Sequence, residues 1–444
     1  MGGIADYSGS LVLQWPIRES TRVALQFQPG QSLRVVSRDA TGGTREVEVP
    51  LALVNAARPP YGEIRAWFAE NAARHWAAYV AGVFAALAGD HDVFFTQGAV
   101  VEIESDVPEG KGVSSSAALE AATMTALLAA LFHEPDSNPP NLKAPRAQAL
   151  TCQRAENLVV GAPCGVMDQM AVICGKAGHL MALLCQPAEL RAPLRLPAGL
   201  AVFGIDSGIR HAVTGSDYTA VRIGAFMGYR ILADLAGLAA APGEHQGQVV
   251  VDDPHWGGYL ANVGSQAFHE YEAHIPNTLG GSVFLKRYGG TTDRITTVDP
   301  ERCYAVWTPT AHPVYEHERV TEWSNLLQPD QPSEPDRPTR ESRLGELMFA
   351  SHASYSACGL GSDGTDLLVD LARAAGAEAG IYGAKITGGG SGGTVAILAR
   401  EDAVDRIRQI AAEYAERTGR EPYVFEGTSD GAAITGATRE PVNP

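Results

Sequence analysis

The chain has 444 residues, a formal net charge of −17 and an apolar fraction of 45%, which is ordinary for a globular protein. Its length allows two or three domains with large cores. The excess of acidic residues argues against nucleic acid as a partner, and the lack of an 18-residue apolar run argues against membrane association through a spanning helix.

The six cysteines are scattered and form no CxxC pair. This pattern predicts free thiols in a reducing compartment rather than a zinc site. The N-terminus lacks the basic and apolar regions of a signal peptide, so we predict a cytoplasmic protein. We expect a monomer or a weak dimer.

In the first half of the chain, hydrophobic patterning predicts strands followed by helices. An apolar strand is predicted over residues 11–17, and alternation predicts further strands over 22–27, 32–37, 45–49 and 99–105. Helical periodicity predicts helices over residues 71–87, 115–132 and 143–159.

The proline-bounded stretch 187–197 predicts a domain boundary, which divides the chain into residues 1–190 and 198–444. Beyond it, strands are predicted over 200–205, 382–386, 395–399 and 422–426. Helices are predicted over 218–236, 344–356, 365–375 and 403–418. Strands and helices mixed in both halves indicate two α+β domains with a cleft between them.

Residues 107–120 (VPEGKGVSSSAALE) lie between a predicted strand and a predicted helix. Gly110 and Gly112 allow the backbone to approach a ligand closely. The serines at 114–116 stand at a helix N-terminus, where free amides and the helix dipole favour an anion. The spacing is not that of a Walker A loop. An ordinary serine-capped helix is the alternative interpretation.

Two further segments point to a ligand site. Residues 161–170 (GAPCGVMDQM) place Asp168 after a glycine-containing turn, and residues 385–394 (KITGGGSGGT) carry five glycines in six positions. Glycine loses the most backbone entropy on folding, so this run predicts a loop pressed against a ligand or another backbone. A flexible linker is the alternative, which the flanking predicted strands disfavour.

With these three segments in order, the chain resembles the GHMP kinases, the superfamily of galactokinase, homoserine kinase and mevalonate kinase. Its motif sequences are most similar to those of the galactokinase and plant-type L-arabinokinase branch. Residues 1–17 resemble a shortened form of the galactokinase signature motif. The resemblance implies a two-domain α+β fold with the active site in the interdomain cleft. It also implies an arginine that would fall before Met1, so we expect the start of the N-terminal domain to be truncated, with Arg210 a candidate substitute.

The implied reaction transfers a phosphoryl group from ATP to the anomeric hydroxyl of a monosaccharide. We call residues 107–120 the serine segment. By resemblance, the ATP phosphates are held by seven of its residues: Gly110, Gly112, Val113, Ser114, Ser115, Ser116 and Ala117. Ser116 and Glu156 align with the family's ligands of Mg²⁺, and a hydroxyl with one carboxylate suits that ion. Without the family, Glu156 would be interpreted as a solvated helix residue.

Asp168 aligns with the family's catalytic aspartate, which can accept or orient the proton of the reacting hydroxyl. From the residues alone, a capping or turn aspartate is the alternative. By the same resemblance, the sugar is contacted by Asp6 and Tyr218, and its pocket is lined by Gly3, Tyr7, Cys164 and Gly165.

Gly3 and Ile4 stand where galactokinases have glutamate and histidine. In galactokinases that glutamate contacts the hydroxymethyl group of the hexose, which L-arabinopyranose lacks. A buried carboxylate with nothing to bind is costly, so we predict L-arabinose as the substrate. Loop drift is the other explanation of Gly3. Galactokinase is the rival function, and a sugar- and ATP-binding regulator without catalysis is the alternative of another class.

Two expectations concern polar residues to which the resemblance assigns no role. Lys385 is expected to be a solvated strand residue. His312, Glu316, His317 and Glu318 are expected to form a polar helix face rather than a metal site.

Overall fold

The computed structural model describes residues 1–38, 43–132, 139–210, 216–328 and 337–439. The chain divides into two compact units that interleave along the sequence. The first unit comprises Met1–Gln14, Gly110–Val113 and His179–Gly427; the second comprises Trp15–Glu109, Ser114–Gly178 and Thr428–Pro444. The domain boundary near residue 190 stays a prediction.

The strands of the described residues, in chain order, are β1 (Leu11–Gln14), β2 (Thr21–Gln28), β3 (Ser32–Arg38), β4 (Thr44–Pro50), β5 (Gly98–Ser105), β6 (Met181–Leu184), β7 (Glu189–Leu190), β8 (Leu200–Asp206), β9 (Ala240–Pro242), β10 (Val249–Val251), β11 (Thr278–Gly280), β12 (Cys303–Ala305), β13 (Ile381–Ile386), β14 (Thr394–Arg400) and β15 (Val424–Phe425).

The α-helices of the described residues are α1 (Leu51–Ala56), α2 (Gly62–Ala69), α3 (Ala78–Asp90), α4 (Ser115–Leu131), α5 (Pro145–Ala155), α6 (Met167–Cys174), α7 (Ser216–Leu235), α8 (Gly264–Tyr271), α9 (Gly281–Tyr288), α10 (Trp307–Asn325), α11 (Arg337–Ala357), α12 (Asp363–Ala375), α13 (Val404–Thr418) and α14 (Ala432–Thr435). Short 3₁₀ turns lie at Gly3–Ser8, Ala72–Ala77, Pro140–Leu142, Leu260–Asn262, Glu272–His274 and Ala377–Ala379, and a π turn at Glu156–Val160.

The second unit combines a mixed sheet with a central helix. Its strand order is β2-β5-β3-β4, with β3 and β5 parallel and the other pairs antiparallel. Helix α3 is rich in alanine and valine, and every residue from Val80 to Ala88 is buried, as expected for a helix that is apolar on all faces. At Gly82 an added Cβ would lie 3.2 Å from the Cβ of Ala155, so the absence of a side chain lets α5 pack closely.

The first unit has an antiparallel sheet of order β13-β14-β8-β15. Its apolar residues pack with α12 and α13 in one core, which includes Ile205, Leu368 and Ile407. A second core surrounds α7 and α10 and includes Met227 and Phe268. Strand β1 pairs antiparallel with β6, which anchors the 3₁₀ turn Gly3–Ser8.

The predicted α+β class is confirmed. None of the described helices combines the length and the apolar character needed to cross a membrane.

Candidate active site

The serine segment leads into helix α4 through a left-handed turn. Gly110, Gly112 and Ser114 have φ values of 74°, 67° and 63°. Ser114 stands at the N-cap of α4, and among the described residues its side chain makes no capping hydrogen bond. The amides of the first turn therefore lack the side-chain acceptor that the serine-capped alternative requires.

A buried polar cluster lies beside this helix start, within the second unit. Glu156 is 4% exposed and opens the π turn, a local feature that is frequent at functional sites. Its Oε2 accepts hydrogen bonds from Gln169 Nε2 at 2.6 Å and from Cys164 Sγ at 3.5 Å, and its carboxylate is also hydrogen-bonded to the Ser116 side chain. Ser116 and Glu156, which the family resemblance pairs as metal ligands, are thus in direct contact.

Charge is crowded in this cluster. Burial raises the pKa of Glu156 to about 7, helped by the negative charge of Asp168 and opposed by the hydrogen bonds from Ser116, Cys164 and Gln169. Asp168 is the second residue of α6, in its first turn, where the helix dipole favours a carboxylate. The structure therefore brings Ser116, Glu156, Cys164 and Asp168 together.

Sequence reasoning missed two members of this cluster, Glu120 and Gln169. Glu120 is fully buried on α4, and Gln169 Nε2 donates to its Oε2 at 3.1 Å. Burial, then the charge of Glu156, raises the pKa of Glu120 well above its ordinary value. Their spacing in the sequence is the feature that could have identified them. Glu120 stands four residues after Ser116 on one helix face, and Gln169 follows Asp168 directly.

The donor set fits a divalent cation that also binds phosphate. Glu120 Oε1 and Gln169 Oε1 are buried without a hydrogen-bond partner in the described part of the chain. Two crowded carboxyls with raised pKa values are the surroundings that a bound cation would stabilise. The described residues contain no group of three or more His, Cys, Asp or Glu suited to a metal. One or two carboxylates, as Glu156 and Glu120 provide here, are the protein's share of a site that holds Mg²⁺ together with phosphate oxygens and water.

In the first unit, the turn Gly3–Ser8 contains three of the residues that are predicted to contact the sugar, namely Gly3, Asp6 and Tyr7. Asp6 is 4% exposed, and its Oδ1 accepts a 2.7 Å hydrogen bond from the Tyr7 amide. The Tyr218 ring meets the Tyr7 ring edge-on with centroids 6.0 Å apart. Gly3, Asp6, Tyr7 and Tyr218 are thus brought into one neighbourhood, with Tyr218 and Ile4 in the same apolar cluster.

A buried ion pair that the sequence did not predict supports this turn. Arg222 Nε and Nη2 each donate to the Asp293 carboxylate at 2.8 Å, and both side chains are nearly inaccessible. The guanidinium carbon lies 5.2 Å from the centroid of the Tyr7 ring. Burial would lower the pKa of Arg222, but Asp293 outweighs it and keeps the guanidinium charged.

The glycine loop, residues 385–394, packs against Lys111 and Gly112, which belong to the same first unit. Thr394 Oγ1 donates to the carbonyl of Lys111 at 2.8 Å. A Cβ at Gly393 would lie 2.9 Å from that same oxygen, and one at Gly388 would lie 3.2 Å from the carbonyl of Gly112. Both glycines also have left-handed φ values. The loop is therefore pressed against another backbone, as predicted, and the linker alternative is wrong.

Two cations lie at this junction. Lys111 forms an ion pair with Asp206 at the end of β8. The side chain of Arg210 passes 3.7 Å from the position that a Cβ of Gly110 would take. Whether Arg210 replaces the family's upstream arginine stays a prediction.

The expectation for Lys385 is wrong, because this side chain is buried rather than solvated. It is 3% exposed, its Nζ donates to the carbonyl of Ile386 at 2.6 Å, and Nζ lies 4.7 Å from the centroid of the Tyr355 ring. Burial lowers the pKa of Lys385 to about 8, although Glu316 opposes the shift.

The polar face expected on α10 is also wrong for two of its members, since His312 and Glu316 are buried. Glu316 Oε1 accepts from Ser351 Oγ at 2.6 Å and from the Gly2 amide at 3.0 Å, and Oε2 accepts from Arg319 Nε at 2.8 Å. Glu318 is exposed and His317 is half-buried, as a surface face requires. The sequence of residues 312–318 does not by itself show which of these side chains point into the core.

Comparison with known proteins identifies the family. The model of the GHMP kinases N terminal domain matches residues 78–176, and the model of the GHMP kinases C terminal domain matches residues 339–417. L-Arabinokinase of Arabidopsis thaliana is 39% identical over 488 residues, which cover 99% of this chain but 45% of that protein. The chain thus spans less than half the length of this relative.

Galactokinase of Chloroflexus aggregans is 33% identical over 354 residues, covering 78% of this chain and 72% of that protein. Among solved structures, the galactokinase of Lactococcus lactis complexed with galactose shares the fold, with a TM-score of 0.68 and 20% identity over 96% of this chain and 90% of that one. The segments recognised in the sequence, the fold and these relatives agree: the chain belongs to the GHMP kinase superfamily and is related to its galactokinases and L-arabinokinases.

Proposed function

We propose that this protein is an ATP-dependent kinase that phosphorylates the anomeric hydroxyl of a monosaccharide, with L-arabinose its preferred substrate. The observation that carries the proposal is the contact of Ser116 with Glu156 beside the start of α4, with Asp168 close enough to perturb Glu156. One cluster therefore offers an anion-binding helix end, a donor set for a cation and, in Asp168, a carboxylate for chemistry.

The ATP phosphates are assigned to the backbone amides and hydroxyls of Gly110, Gly112, Val113, Ser114, Ser115, Ser116 and Ala117. Support comes from the left-handed backbone at Gly110, Gly112 and Ser114, which turns the chain into α4 without a capping side chain. Ser116 and Glu156 are assigned to Mg²⁺, and Glu120 is linked to Glu156 through Gln169. When bound, the ion neutralises charge on the phosphate oxygens.

Asp168 is assigned to the reacting hydroxyl. In the transfer, the anomeric oxygen forms a bond to the γ-phosphorus, the bond from that phosphorus to the bridging oxygen breaks, and ADP leaves with its electron pair. The hydroxyl proton passes to the Asp168 carboxylate. Phosphoryl transfer has a loose transition state, so orienting the hydroxyl matters as much as removing its proton.

Asp6 and Tyr218 are assigned to sugar hydroxyls, with Gly3, Tyr7, Cys164 and Gly165 lining the pocket. Gly3 supports a pentose, because it places no carboxylate where a hexose would present its hydroxymethyl group. The relatives support either L-arabinose or D-galactose as the substrate, since L-arabinokinase matches nearly the whole chain and galactokinases match 78% of it.

The test is a coupled assay of ADP formation by the full chain with ATP, Mg²⁺ and a panel that includes L-arabinose and D-galactose. L-Arabinose is expected to give the highest kcat/KM, and Asp168→Asn is expected to lower kcat by roughly 10²–10⁴-fold, the range for loss of a general base. Asp430→Asn is the matched control, because Asp430 accepts a hydrogen bond from the Ala177 amide outside the cluster.

Three results would change the assignment. Higher kcat/KM for D-galactose would make the protein a galactokinase. Binding of sugar and nucleotide in calorimetry without ADP formation would make it a regulator. Full activity of Asp168→Asn would remove Asp168 from the chemistry.

A further inference from the structure

One tyrosine joins the sugar-binding turn to the glycine loop. Tyr355 lies near the end of α11 and is fully buried. Its hydroxyl accepts a 2.8 Å hydrogen bond from the Ile4 amide and donates to the carbonyl of Gly388 at 3.2 Å. The hydroxyl is thus satisfied on both sides by backbone groups of two motifs that are distant in sequence.

The same hydroxyl fills the space of a missing side chain. A Cβ added to Gly3 would lie 1.3 Å from Tyr355 Oη and 2.6 Å from Cζ, and both distances are too short for non-bonded atoms. The backbone of Gly3 does not have the left-handed φ that would itself demand glycine. Position 3 is therefore glycine because the tyrosine occupies the room, not because of the local conformation.

The ring cannot easily move away. It meets the His312 ring edge-on at a centroid distance of 5.2 Å, and the Lys385 ammonium lies 4.7 Å from its centroid. Tyr355 also belongs to the apolar cluster that contains Ile4 and Tyr218. In a core packed at this density, a ring held on several sides yields little to an added atom.

We propose that Tyr355 is a specificity-determining residue, which closes the sugar pocket at position 3 and thereby favours a pentopyranose over a hexopyranose. The proposal rests on the proposed function, which assigns the turn Gly3–Ser8 to the sugar. With the tyrosine in place, no carboxylate can project from position 3 to bind a hydroxymethyl group. The phenol hydroxyl also has its proton committed to Gly388, so it cannot donate to such a group.

The experiment compares kcat/KM for L-arabinose and D-galactose in four variants of the full chain. Tyr355→Leu removes the phenol ring with its hydroxyl, and Tyr355→Phe removes only the hydroxyl and leaves Cζ in place. Gly3→Glu with Tyr355→Leu adds a carboxylate to the opened space. Tyr229→Leu is the matched control, because Tyr229 is an equally buried tyrosine whose hydroxyl bonds Asp253 and whose ring packs in another core.

Tyr355→Leu is expected to raise the galactose-to-arabinose ratio of kcat/KM by roughly tenfold, the effect of making room for one further carbon group. The double variant is expected to raise it further, Tyr355→Phe less, and Tyr229→Leu not at all. A purely structural role would lower both rates together and leave the ratio unchanged.

A thermal-unfolding cycle tests the pairing without any activity. Gly3→Ala is expected to lower Tm strongly beside Tyr355 and only slightly in the Tyr355→Leu background, because the added methyl group collides with the tyrosine hydroxyl and Cζ. An unchanged sugar ratio in active Tyr355 variants, or the absence of coupling in the cycle, would overturn the proposal and leave the kinase function standing. A wild-type chain that phosphorylates no monosaccharide would instead overturn the function, and the specificity role with it.

Discussion

Replacement of Glu316 by glutamine is expected to destabilise the protein by about 3–4 kcal/mol at pH 7. Burial alone would raise the pKa of Glu316, but the charges of Arg319 and Lys385 and the hydrogen bond from Ser351 outweigh it and bring the pKa from 4.5 to about 2. At about 1.4 kcal/mol per pH unit, this fall corresponds to about 3–4 kcal/mol of stabilisation. An independent expectation agrees, since removing one partner of a buried ion pair costs about 3–5 kcal/mol.

The assay is urea unfolding of wild type and Glu316→Gln, followed by fluorescence at pH 7 and at lower pH. A depressed carboxyl pKa stabilises the folded state above pH 4.5, and this stabilisation is lost as the pH falls towards 2. The difference between the two proteins should therefore shrink below pH 4.5. Glu318→Gln is the control, because Glu318 is exposed on the same helix and accepts a hydrogen bond from the Ser265 amide. A loss below about 1 kcal/mol in Glu316→Gln, as for a surface pair, would refute the reasoning.

Two further predictions concern the first unit. Burial lowers the pKa of His312 to about 4, so the folded state binds fewer protons than the unfolded state between pH 6.5 and 4 and should lose up to about 3 kcal/mol over that range. His312→Phe keeps an aromatic ring against Tyr355 and should flatten this part of the stability profile; an equal slope in both proteins would contradict the assignment. Arg222→Met should cost about 3–5 kcal/mol in urea unfolding, because Asp293 is left charged and buried. Adding Asp293→Leu should recover most of that loss, and a double variant as unstable as the sum of both singles would show that the two side chains are not coupled.

Much of the fold was predictable from local patterns. Strands such as β14 and helices such as α4 and α13 follow apolar runs of the right period, and their predicted positions hold to within a few residues. The long helix expected over residues 143–159 is an α-helix only to Ala155 and then widens into the π turn. The π turn opens at the buried Glu156, and hydrophobic periodicity does not predict such a bulge.

The glycines of the motifs were predictable because their backbone requirements leave a local signature, whereas Glu156 and Asp168 were singled out by the family resemblance. Gly393 and Gly388 are needed where two loops touch, and a glycine run announces such a contact. Residues that support the motifs from a distance in sequence leave no such signature. Glu316, Lys385 and Tyr355 are separated by tens of residues, and only the folded chain shows that they form one buried network.

Glu120 shows most clearly what sequence patterns cannot predict. Glutamate in a helix is ordinarily exposed, and α4 has no marked polar face that would set this residue apart. It is buried, and Gln169 on α6 bridges its carboxyl to that of Glu156. A buried carboxyl pair of this kind is a tertiary property.

The most direct test of the central claim is ³¹P NMR of the product formed by the full chain from ATP, Mg²⁺ and L-arabinose. The account predicts sugar-dependent conversion of ATP to ADP, with the new phosphate bonded to the anomeric oxygen and coupled to the anomeric proton. Phosphate on any other hydroxyl, or no sugar-dependent loss of ATP with any monosaccharide tested, would contradict it.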